Sequence, residues 1–129
     1  MAEVSFEEFL FNFHIIIFLS IILLFFIPLS VWPGRIWFHF WYVTMILASQ
    51  ILTGLTLLPY MIKSNRYRLV CPLTTWMQYV RGYLPKDPKN FDHSFVSEFG
   101  ERIGLRIPKG VVSLMNIIIL IIASILYFL

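Results

Sequence analysis

The sequence predicts an all-α membrane protein with three transmembrane helices and an interfacial amphipathic helical loop between the second and third. Two observations carry that prediction. Three long apolar runs, Phe9–Gly34, Ile36–Ile62 and Gly110–Leu129, contain no Asp, Glu, Lys or Arg. Each reaches the roughly 20 residues that a helix needs to cross a hydrocarbon core about 30 Å thick. Composition agrees: 59% of residues are hydrophobic, 13% are charged, and the mean hydropathy is +0.80. Soluble domains carry about 25% charged residues, so this chain has too little polar surface to solvate a compact globule. With 129 residues there is room for a single membrane domain, 1–129, and for no separate soluble one.

The first span is expected over about 9–32. Met1–Glu8 carries Glu3, Glu7 and Glu8 where a secretory signal has positive charge, and the run behind it is too long for a signal core. A permanent span is therefore expected. Pro33-Gly34 marks a tight turn, with Trp32, Trp37 and Trp41 around it as interfacial aromatics. The second span, about 36–62, then returns antiparallel. Pro28 and Pro59 fall near span ends, where a kink is cheaper than at mid-membrane. The third span, about 110–129, is the shortest. Val111–Leu129 rises about 28 Å as a helix, enough to cross with little tilt.

Orientation follows from charge. Nine of the ten basic residues lie in the loop 63–109, and Arg35 alone lies in the Trp32–Arg35 turn. Short loops rich in Lys and Arg stay on the cytoplasmic side. The amino terminus and the long loop are expected there, in a bacterial inner membrane or an equivalent energy-converting membrane. The net charge of +3 is explained by these flanking residues, so no nucleic-acid partner is implied. Anionic lipid headgroups are the expected partners of such a cluster. Cys71 is the sole cysteine, which excludes an intramolecular disulfide.

The loop has its own periodicity. Leu73, Trp76, Met77, Val80, Tyr83 and Leu84 follow helical spacing, Pro72 suits a first turn, and Gly82 with Pro85 ends the segment. An interfacial helix over 72–84 is expected, with its rings at headgroup level. Pro85–Asn90 reads as a turn. Ser94–Ile107 reads as a second helix with Phe95, Phe99 and Ile103 on one face, weakened by Gly100 and Gly104.

Cys71-Pro72-Leu73-Thr74 resembles the Cys-Pro-Leu-Thr signature of a family of small bacterial membrane proteins of undefined function. Phe13-His14 in the first span, Phe38-His39 opening the second, and Tyr79-Val80-Arg81 after the motif fit that pattern, which covers roughly Phe13–Pro108. The chain departs from it at Thr75-Trp76-Met77-Gln78, where an acidic residue and Asn-Trp are usual. It departs again at Glu98, which stands about where a His is usual, with His93 displaced. The resemblance implies no activity.

Candidate chemistry is sparse, and no catalytic set is evident, so a non-enzyme is expected. His39, Tyr42, Ile46, Ser49, Thr53, Thr56 and Tyr60 form one helical stripe on the second span. A packing seam explains it, with Ser49 and Thr53 as small contacts; a cofactor or ion path is the alternative. A weaker stripe runs through Ser113, Asn116, Leu120, Ala123 and Tyr127 on the third. His14 and His39 invite haem or quinone, but the antiparallel hairpin sets them about 20 Å apart, so one iron cannot bind both. Asp92, His93 and Glu98 lack the ligand spacing of a metal site and read as a solvated loop face. Cys71 reads as structural, or as a thiol activated by Arg66 and Arg68.

The leading functional expectation is a non-catalytic accessory subunit of a larger membrane complex of the energy-converting or oxidative kind. It docks on its partner subunits through His39, Tyr42, Ser49, Thr53, Thr56, Trp76, Met77 and Val80, and no resident cofactor is expected. The alternatives are a small redox protein contacting haem or quinone, and a small oligomeric transporter.

Overall fold

The computed structural model describes residues 5–129, so Glu3 and its contribution to the acidic amino terminus lie outside the described residues. Every element among those described is helical, and three of the helices are long and apolar enough to cross a membrane. Helix α1 (Phe6–Leu23) begins at Ser5, whose hydroxyl accepts the Glu8 amide at 3.2 Å. Glu7 and Glu8 sit in the first turn, where negative charge favours the exposed amides. After Leu23 the chain tightens into a single 3₁₀ turn, Leu24–Phe26.

The first span therefore ends six residues before its expected limit of 32. Pro28 is the reason: it disfavours helical backbone at Ile27, which is extended. The connection is also longer than a tight Trp32–Arg35 turn. Val31 and Trp32 amides donate to the Pro28 carbonyl, and Arg35 to that of Trp32.

Helix α2 (Arg35–Ser64) continues through Pro59 and closes at Asn65, whose left-handed backbone (φ 53°) lets Arg66 donate to the Met61 carbonyl. Thirty residues make about 45 Å of helix, more than the core of a bilayer requires. Its last turns are capped by the loop, where Leu57 and Met61 pack with Val70 and Phe91 in a buried cluster. The chain then doubles back along α2, placing the Arg68 carbonyl 3.6 Å from where a side chain on Gly54 would begin.

Three short helices fill the rest of the loop: α3 (Pro72–Val80), α4 (Pro88–Phe91) and α5 (Phe95–Arg102). α3 ends before Tyr83 and Leu84, because Gly82 takes φ +96°. α4 replaces the expected Pro85–Asn90 turn, with Pro88 in its first turn and the Asp87 carboxylate accepting the Lys89 amide. α5 is capped by Ser94 and stops five residues short of Ile107. Gly104 turns left-handed there, and the Leu105 amide returns to the Gly100 carbonyl at 2.7 Å.

A second cluster joins Leu10 and Phe11 of α1 to Met77 of α3 and Phe95 of α5. It fastens the loop module to the first turns of α1. Helix α6 (Lys109–Phe128) packs mainly on α2. Ala123 is its one buried residue, and most of its Ile and Leu side chains face outward.

Candidate functional site: a cavity between the spans and the loop module

The three long helices and the returning loop enclose a cavity of about 90 Å³. His14, Ile17, Phe18 and Ile21 of α1 form one wall, Ile46 and Gln50 of α2 a second, and Val112, Ser113 and Asn116 of α6 a third. Arg68, Cys71, His93, Phe95 and Lys109 close it from the loop side. His14 is 8% exposed and stacks on Phe95, with centroids 3.7 Å apart and planes 11° from parallel. Its Nδ1, the Gln50 Oε1 and the His93 Nε2 are buried without a hydrogen-bond partner among the described residues. Such atoms are costly to strand, and a hollow this large has room for water or a ligand group to satisfy them.

Outside the cavity lies an ionic layer. Asp92 receives three cations: Arg66 at 2.9 Å, Arg68 at 2.8 Å and Lys109 at 3.6 Å. The Lys109 ammonium also donates to the Asp92 carbonyl. Burial would raise the Asp92 carboxyl, but Arg68, Lys109 and Arg66 outweigh it and hold the group below its usual range. Arg81 inverts the pattern, one cation between two carboxylates, Glu7 at 2.6 Å and Glu98 at 2.7 Å. For Glu98, burial is again overcome by its His93 and Arg81 neighbours, which draw it down to about 2. His93 Nε2 stands 3.9 Å from that carboxylate, beyond hydrogen-bonding reach. Gln78 and Asn90 knit the layer to the backbone: Gln78 donates to the Lys89 carbonyl, and Asn90 to those of Tyr83 and Thr75.

Asp92, His93 and Glu98 are thus not a solvated face. Their side chains are 13%, 21% and 20% exposed and hold the loop module together. Among the described residues no group of three or more His, Cys, Asp and Glu side chains converges as metal ligands do. Cys71 begins α3, and burial pushes its thiol up, the Thr74 and Leu73 amides lowering it only in part. That overturns activation by Arg66 and Arg68, since Arg68 is spent on Asp92. The other motif residues are architectural too: Pro72 occupies the first turn of α3 and Thr74 is buried within it.

His39 lies at the other end of the molecule, buried edge-on against Phe25 with ring centroids 4.3 Å apart. The two histidines of the long helices do not meet. Tyr42 bonds Ser20 of α1 at 2.9 Å, so the first half of the stripe is an internal seam. Ser49, Thr53 and Thr56 instead donate to carbonyls of their own helix, those of Ile46, Ser49 and Thr53. Two expected docking residues are closed to any partner: Met77 has no exposure and His39 only 2%. Trp76 and Val80 remain outward.

Two features escaped the sequence reading. Gln50 is a lone amide in α2, one turn from Ile46 on the same side of the helix, where the polar stripe runs through Ser49 instead. Arg35 reads as a turn residue, yet it is buried and donates to the Leu24 carbonyl at 2.8 Å. A cation there satisfies a free carbonyl at the end of α1 and complements its negative pole. The chain finds no match among protein-family models, curated proteins or solved structures.

Proposed function

We propose that this chain is a non-catalytic subunit of a larger membrane protein complex, with its amino terminus and the 63–109 module on the cytoplasmic side. One observation carries the reading. Trp76, Phe6, Phe9 and Phe13 form a continuous ladder of rings, with successive centroids 5.3, 6.2 and 6.3 Å apart. The ladder starts on α3, which on this reading lies in the interface, and runs down the outer face of α1. Each ring is between 43% and 56% exposed. Fixed, exposed aromatics concentrate binding energy at protein interfaces at little entropic cost. The docking face thus includes Trp76 and replaces the inward-facing residues of the α2 stripe.

The test is purification from native membranes in mild detergent, with the co-eluting proteins identified by mass spectrometry. A stoichiometric set of membrane subunits is expected, lost when Phe9 and Phe13 are both changed to Ala. Recovery of the chain alone would overturn the proposal.

A second reading, a small protein contacting quinone or haem, draws on His14, whose unpaired nitrogen is buried at the cavity. The purified protein's visible spectrum decides the haem form, since a bound haem gives an intense Soret band.

A further inference from the structure

α1 and α6 both rest on α2 and leave a cleft between them. At the loop end the cleft is the His14 cavity. Deeper, it narrows to a hollow of about 20 Å³ whose lining shares Ile21, Ile46, Gln50 and Asn116 with that cavity. It then widens to about 400 Å³ between Ile22, Phe25 and Phe26 of α1 and Met115, Ile118 and Ile122 of α6. Ile119 lines both the hollow and the wide part. The wide part is wholly apolar, and the loop end collects the unpaired His14, Gln50 and His93 atoms. Arg68 and Lys109 stand at its mouth, and with Arg66 they surround the single Asp92 carboxylate, leaving surplus positive charge.

We propose that this cleft holds one acyl chain of an anionic phospholipid, with the phosphate at Arg68 and Lys109 and the ester region beside His14 and Asn116. Three dimensions favour that occupant. From His14 to Phe26 the cleft runs about 18 Å by helical rise. That is close to one leaflet, half of a core about 30 Å thick. A helix 10 Å across would displace about 1,400 Å³ over the same length, several times the space available. An acyl chain is slender enough, and it covers apolar walls without needing a polar partner. The polar end supplies what the chain's head requires, with cations for a phosphate and side-chain amide and imidazole groups for ester oxygens. The inference is independent of whether the chain has protein partners.

Native mass spectrometry of the full chain in detergent, titrated in turn with phosphatidylglycerol, phosphatidylcholine and oleate, tests it. One phosphatidylglycerol per chain should be retained, over phosphatidylcholine by about fivefold or more, the effect of one cation at the headgroup. Changing both Arg68 and Lys109 to Gln should abolish that preference, whereas Lys86→Gln, the same kind of charge loss at an exposed site, should leave it. Ile119→Trp, which fills the cleft, should lower retention of both phospholipids. Ile122→Trp at the open edge serves if the first variant loses its helical circular dichroism. Equal retention of the two phospholipids, equal loss with Lys86→Gln, or cleft variants that bind as the wild type does would each overturn the assignment. So would preferential binding of oleate, which would make the occupant a free fatty acid.

Discussion

Arg81 is 15% exposed and bonds two carboxylates far apart in sequence, Glu7 in the first turn of α1 and Glu98 in α5. Removing it strands both, and a stranded partly buried charge is what makes such losses large. Arg81→Ala should cost about 2 kcal/mol, less than a fully buried pair because solvent still screens Glu7. The thermal unfolding midpoint in detergent at neutral pH reads it. Glu98 also imposes a pH dependence. Its carboxyl lies near 2 in the folded chain against an ordinary 4.5, so the folded state binds its proton later than the unfolded state does. Its contribution is complete above pH 4.5 and drains away as pH falls from there towards 2. Unfolding midpoints should drop across that window, and Glu98→Gln should flatten the drop while lowering stability at neutral pH. An unchanged slope in the variant would place the acid sensitivity elsewhere, with Asp92 the next group to test.

Short helices of the loop module stop where backbone contacts stop them. At Gly100 an added Cβ would fall 2.8 Å from both the Leu105 carbonyl oxygen and the Ile107 Cδ1. Helix propensity alone says that Gly→Ala should stabilise by nearly 1 kcal/mol. The close approach says the reverse, since the Leu105 carbonyl cannot swing aside as a side chain can. Gly100→Ala should therefore destabilise by about 1–3 kcal/mol, seen as faster protease cleavage over 100–108. The same contrast explains what was legible in the sequence. The three long helices were, because length and hydropathy alone decide them, and their ends shifted by more than three residues only where Pro28 intervened. The limits of α3 and α5 were not, because Gly82 and Gly104 end them through left-handed turns, whereas apolar periodicity runs on past both glycines. The amphipathic pattern of α3 puts Met77 and Trp76 on one apolar side, whereas the first is buried and the second exposed. It cannot say that the apolar side would bury itself on Leu10 and Phe11 of this same chain rather than on another. Asp92 and Glu98 looked solvated because Arg66, Arg81 and Lys109, which pair with them, come from other elements.

At the scale of the whole molecule, two clusters tie the loop module to the spans. Leu10, Phe11, Met77 and Phe95 hold it to α1, while Leu57, Met61, Val70 and Phe91 hold it to the projecting end of α2. The ionic layer and the cavity lie between these anchors, so the module acts as a lid fixed on two sides. Phe91 is the sharper probe because it has no exposure and comes from a helix of only four residues, Pro88–Phe91. Phe91→Ala should cost about 3–5 kcal/mol at that anchor. The packing of α2 on α6 does not depend on it. Trypsin should then cut the variant at Arg66 and Arg68 far faster than the wild type, while circular dichroism retains the helical signal of the spans. A variant that resists trypsin would mean that the α1 anchor alone holds the lid. Loss of the whole helical signal would mean that lid and spans fold as one cooperative unit. Both results differ from the expected local release, in which the second anchor opens first and the cavity gains access from the loop side.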